Sequence, residues 1–114
     1  MPTSTTVSIV FELLGAAVAI SLLKIESLIV QNKIDEAEKL VNKLFLLESN
    51  NSEIILLKSR IFSKRKNHTE SIKLLNTIPK DCEFYSDAVI MIGKEFLFID
   101  EFENAKEKFT EYIN

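Results

Sequence analysis

Apolar and polar positions divide this chain into two regimes. Residues 7–23 are almost wholly apolar, broken only by Ser8, Glu12, Gly15 and Ser21. Beyond them, apolar residues recur at intervals of three and four, as in Ala37, Leu40, Val41, Leu44 and Leu47. That spacing lines one side of an α-helix. It predicts helices over about residues 18–31, 35–47, 53–64, from near Thr69 to before Pro79, 82–98 and 101–113. Ser52 and Thr69 are the candidate N-caps, because a side-chain oxygen there can accept from a free amide of the first turn. In the first regime, Ser8, Glu12 and Gly15 share one stripe at about 100° per residue, whereas Lys24, Ser27 and Gln31 share another. The polar face changes side between Gly15 and Ile20, so this part is either two helices joined near Gly15 or one helix that changes packing partner there. Residues 1–6 are polar and read as disordered, and residues 7–17 as an apolar N-terminal helix.

The second regime is periodic on a longer scale. The stretch Asn32-Lys33-Ile34-Asp35-Glu36-Ala37 returns as Asn67-His68-Thr69-Glu70-Ser71 and as Asp100-Glu101-Phe102-Glu103-Asn104-Ala105. Its small residues are evenly spaced, with 71 − 37 = 34 and 105 − 71 = 34. A fixed period of this length marks an array of helical hairpins. Asn also tolerates the left-handed conformation that such a turn needs.

These positions resemble the tetratricopeptide-repeat (TPR) family. Gly93, Phe96, Phe102, Ala105 and Phe109 match its small–aromatic–aromatic–small–aromatic pattern. Ser59, Phe62, His68, Ser71 and Leu75 hold those places one repeat earlier, and Leu28, Ile34, Ala37 and Val41 hold them in the first. Ile25 stands where the family has a small residue, Lys24 and Lys58 where it has an apolar one, and Pro79 comes early. The resemblance implies an all-α fold of three TPR-like hairpins, residues 18–51, 52–85 and 86–114, in a short right-handed superhelix behind the apolar N-terminal helix. Its concave face would be lined by the first helix of each repeat. By register that gives Leu22, Glu26 and Ile29, then Leu56, Arg60, Ser63 and Lys64, then Ile90, Lys94, Leu97 and Phe98. The Lys and Asn with which some family members clamp a terminal carboxylate are replaced here by Leu22 and Glu26. An internal alternative is that the N-terminal segment folds back over the apolar groove. No polar capping helix follows the third repeat, so Phe109, Tyr112 and Ile113 are expected to face the end of the stack and to offer an end interface.

Composition narrows the chemistry. The 114 residues, 46% apolar with only two Gly and two Pro, suit one domain of long helices. A net charge of −3 gives no general case for a nucleic-acid partner. The lone cysteine, Cys82, cannot pair within the chain, which points to a reducing, cytoplasmic compartment. A signal peptide would need a basic residue before the apolar run, and the first is Lys24. A membrane span needs about 20 apolar residues. Residues 7–23 provide 17 positions with Glu12 among them, so a buried helix is the preferred reading.

No catalytic residues, cofactor or metal site are expected. His68 is the only histidine and has no Cys neighbour in sequence. Cys82 reads as a half-buried structural thiol, and the acidic pairs Asp35/Glu36 and Glu101/Glu103 sit at helix starts, where they complement the helix dipole. The run Lys58, Arg60, Lys64, Arg65 and Lys66 reads first as a solvated helix end and second as a basic patch. The expected function is a non-enzymatic module that holds a partner protein or peptide as an amphipathic or apolar helix, in the manner of a chaperone or adaptor. By size and build the chain is similar to the small TPR-type chaperones of type III secretion. The alternatives are a scaffold subunit of a larger assembly, with a homodimer or hetero-complex formed through the N-terminal helix, and an adaptor tethered to a membrane by residues 7–23.

Overall fold

The computed structural model describes the backbone of residues 3–113 and the side chains of residues 15–113. Its helices are α1 (Thr3–Val30), α2 (Ile34–Leu47), α3 (Ser52–Lys64), α4 (His68–Leu75), α5 (Tyr85–Phe98) and α6 (Phe102–Ile113), with no strand among the described residues. Each helix packs on its neighbours in the chain, and α1 also touches α3. The protein is thus all-α.

One turn is used three times, between α1 and α2, α3 and α4, and α5 and α6. Asn32, Lys66 and Asp100 adopt left-handed backbone with φ of 61°, 64° and 60°. They lie 34 apart (66 − 32 = 100 − 66 = 34). The amide after each reaches back across the helix end: Lys33 N–H to the Leu28 carbonyl at 2.8 Å, Asn67 to Phe62 at 2.8 Å, and Glu101 to Phe96 at 2.9 Å. This closure satisfies carbonyls that a helix terminus otherwise leaves without partners. Asn and Asp tolerate the conformation well, whereas Lys66 adopts it at a cost of roughly 1 kcal/mol. In each following helix the small residue, Ala37, Ser71 or Ala105, is fully buried.

Two cores result. The first joins α1, α2 and α3 through Ile25, Leu28, Val41, Leu44, Ile54 and Ile61. The second joins α3, α4 and α5 through Ile55, Ile72, Leu75, Ile78, Ala88 and Ile92. Helix α3 serves both. Phe45 of α2 lies against both as well.

Several boundaries differ from the sequence expectation, each for a local reason. Helix α3 is capped by Asn51 rather than Ser52: Asn51 Oδ1 accepts from the amides of Glu53 at 3.0 Å and Ile54 at 3.3 Å. Helix α4 begins at His68, one residue before the expected cap Thr69. Helix α5 begins at Tyr85, not Cys82, because residues 79–85 form successive turns, with Cys82 N–H bonded to the Pro79 carbonyl and Tyr85 N–H to that of Cys82. Helix α1 starts at Thr3 and runs unbroken through Gly15, so residues 3–6, expected to be disordered, and residues 7–17, expected to be a separate helix, belong to one helix with residues 18–30. Met1 and Pro2 lie outside the described residues. A buried helix was expected here, yet Ala16, Ala17, Ala19 and Ile20 are exposed, because among the described side chains of residues 15–23 only Val18 and Leu22 reach the first core. The earlier side chains, residues 7–14, lie outside the described set. Among the described residues no helix is long and apolar enough to cross a membrane.

Candidate functional site

The 34-residue register aligns α3 with α5 position by position. Glu53 corresponds to Asp87, Leu56 to Ile90, Leu57 to Met91 and Arg60 to Lys94. A depression of about 490 Å³ lies over these residues, walled also by Glu26 of α1 and by Phe84. A second, of about 420 Å³, continues it past Ser63, Lys64, Glu95 and Phe98. The two share Arg60, Met91 and Lys94 and form one groove.

Eight of the expected groove residues meet there: Glu26, Leu56, Arg60, Ser63, Lys64, Ile90, Lys94 and Phe98. Three do not. Ile29 is buried in the first core, and Leu22 packs against that core. Leu97 is exposed but lies off the groove lining. Glu53, Leu57, Phe84, Asp87, Met91 and Glu95 were not expected. Most of them were legible in principle. Glu53 and Leu57 lie one helical turn or less from Leu56, and their equivalents 34 positions on are Asp87 and Met91.

The far wall is braced from α4. The Glu95 carboxylate, 4% exposed, meets His68 Nδ1 at 2.6 Å. The His68 ring in turn stacks on Phe98, with centroids 4.9 Å apart and planes at 14°. The single histidine therefore holds two groove residues in place.

The basic run divides by face. Lys58 turns away from the groove, donates to Asn42 Oδ1, and lies over the rings of Phe45 and Phe62 at 5.0 Å and 5.6 Å. An amphipathic stem ending in a cation over two rings explains how Lys occupies an otherwise apolar position. Arg65 bonds to both Asp35 and Glu38 of α2, and these carboxylates raise its pKa above its ordinary value. Only Arg60 and Lys64 of the run face the groove.

At the other end of the molecule, Phe109 does not join Tyr112 and Ile113 as an end surface. Its ring lies on Gly93, where an added Cβ would come within 2.7 Å, so the missing side chain draws the aromatic inward. Tyr112 and Ile113 stay 51% and 80% exposed. Cys82 is half-buried; its thiol donates to Ser52 Oγ at 3.1 Å and its sulfur accepts from Phe84 N–H at 3.4 Å. Among the described residues no three His, Cys, Asp or Glu side chains are placed to share a metal ion. No protein-family model matches this chain, and no curated protein matches it in sequence.

Proposed function

We propose that this chain is a TPR-like helical-repeat module that performs no chemistry and holds a partner polypeptide, as an amphipathic or apolar helix, in the groove over α3 and α5. The reading takes the three helix pairs as hairpins stacked in a short right-handed superhelix, with the groove on its concave side. One observation carries it: Leu56, Ile90 and Met91, each half-buried, form an apolar floor over the buried Leu57, bordered by charged residues. An amphipathic helix laid into an apolar groove is a recurrent mode of recognition. A chaperone or adaptor role in a reducing compartment is consistent with the free thiol of Cys82. The test is co-purification from the native cell with Leu56→Glu and Phe98→Glu. A partner held by the wild type should be lost from both variants while helical circular dichroism stays unchanged. A partner retained by both would rule out the groove as its site.

A second reading, a scaffold subunit joined to another chain through α1, is favoured by Ile20, Leu23 and Val30, exposed at 66%, 67% and 81%. Light scattering on the full chain separates the two. A monomer of 13.0 kDa favours the groove, and a stable dimer favours α1.

A further inference from the structure

Two pairs of charges on α3 and α5 are sorted by sign along the helix axes, in a groove also lined by Glu26, Lys64 and the His68-bound Glu95. Glu53 and Asp87 form a row at its entrance, near the N-terminal ends of α3 and α5. Arg60 and Lys94 form a second row seven positions further on (60 − 53 = 94 − 87 = 7). The apolar pairs Leu56/Ile90 and Leu57/Met91 lie between the rows. Among the described residues, ion pairs form at Arg65, Lys73 and Lys108, but at none of these four groove charges. The acidic row and the basic row are both left for something else to meet.

Spacing says what that is. Seven helical positions at a rise of 1.5 Å place the two rows about 10.5 Å apart. An extended peptide presents same-side residues about 6.7 Å or about 13 Å apart, and neither matches. A second α-helix repeats the rise of the wall it lies on, so its side chains at i, i+3, i+4 and i+7 meet the rows in step. Phosphate-bearing chains are disfavoured, because Glu53 and Asp87 would face them. Resting on the groove reading above, we infer that the partner is a helical segment with a Lys or Arg and an Asp or Glu two turns apart on one face, and apolar residues between them. Its cation meets Glu53 and Asp87, its anion meets Arg60 and Lys94, and its apolar residues cover Leu56 and Ile90. Because the apolar pair sits midway, the segment can run in either direction, provided it carries one charge of each sign.

The test uses the full chain and fluorescently labelled, Ala-based 15-residue helical peptides. All carry Leu at i+3 and i+4; at i and i+7 they carry Lys and Glu, Lys and Lys, or Glu and Glu. The mixed-charge peptide should bind about five- to tenfold more tightly than either like-charge peptide, as expected when a partly exposed attraction becomes a repulsion. In Arg60→Glu/Lys94→Glu, checked for unchanged helicity, preference should move to the Lys/Lys peptide. A central proline should abolish binding of the mixed-charge peptide. Equal binding by all three, or a wild-type preference for a like-charge peptide, overturns the charge pairing and leaves the groove reading standing. Retained binding by the proline peptide overturns the helical partner. Failure of every peptide to bind overturns both the inference and the groove reading.

Discussion

In the first helix pair, positions 25 and 41 carry Ile25 and Val41, both fully buried in one core. In the third pair, the register equivalents (25 + 68 = 93, 41 + 68 = 109) are Gly93 and Phe109, with the ring seated where a glycine side chain would begin. The middle pair falls between them, with Ser59 and Leu75, both fully buried. As one member of the pair shrinks from Ile to Ser to Gly, the other grows from Val to Leu to Phe. The two positions trade size against each other across the repeats, although Ile25 with Val41 fill more space than Gly93 with Phe109, as expected of an interior in which each side chain is fitted to its neighbours. Ile25, a departure from the TPR pattern when taken alone, is ordinary once its partner is included.

The comparison is most strongly tested where the volume is removed. Ile25→Ala should cost about 3–4 kcal/mol in urea denaturation, since it empties a fully buried site between three helices. A loss under about 1 kcal/mol would show that α1 does not hold the first core. Gly93→Ala should cost about 2 kcal/mol by forcing the Phe109 ring outward. Adding Phe109→Leu should recover part of that loss, and a strictly additive double variant would break the compensation argument. Ser59→Ala is expected to be neutral or to gain up to about 1 kcal/mol, because the Ser59 hydroxyl is buried without a hydrogen-bond partner. A clear destabilisation would mean that the hydroxyl is bonded. The smallest effect concerns a tie found in the third pair, where Tyr85 O–H donates to Glu111 Oε1 at 2.6 Å. That bond, and secondarily Lys108, hold the Glu111 carboxyl below its usual range, while the carboxylate raises the Tyr85 phenol. A carboxylate with a lowered folded-state pKa contributes stability above its unfolded value near pH 4, and loses it as pH falls through the folded value. Tyr85→Phe should therefore lower stability at pH 7 by under about 0.5 kcal/mol and flatten the acid limb below about pH 4. An unchanged acid limb would show that the bond is not populated.

The turns were legible in the sequence because what they need is local. Asn32 and Asp100 tolerate left-handed backbone by themselves, and the small size of Ala37, Ser71 and Ala105 can be read one residue at a time. What escaped depends on residues distant in the chain. Nothing near Lys58 announces the two rings that receive it, and nothing near Phe109 announces the space above Gly93. Cys82 looked like the start of a helix because no neighbour signals its bond to Ser52, 30 positions away. The groove was half legible for the same reason. Register put the named residues of α3 and α5 along one depression, but it could not tell that α1 would turn Ile29 into the core while its equivalent Ser63 faces the groove.

Ile54 and Ile55 are adjacent, yet one belongs to the first core and the other to the second. Helix α3 thus contributes buried residues to both halves, joined there by Phe45 of α2, and one of its remaining sides forms half of the groove. A helix clamped on two sides should show the slowest amide exchange in the molecule, with α6, whose only fully buried residue is Ala105, among the fastest. Occupying the groove would clamp α3 on a third side, so a bound partner should slow exchange in both halves at once, including in α2, which it does not touch.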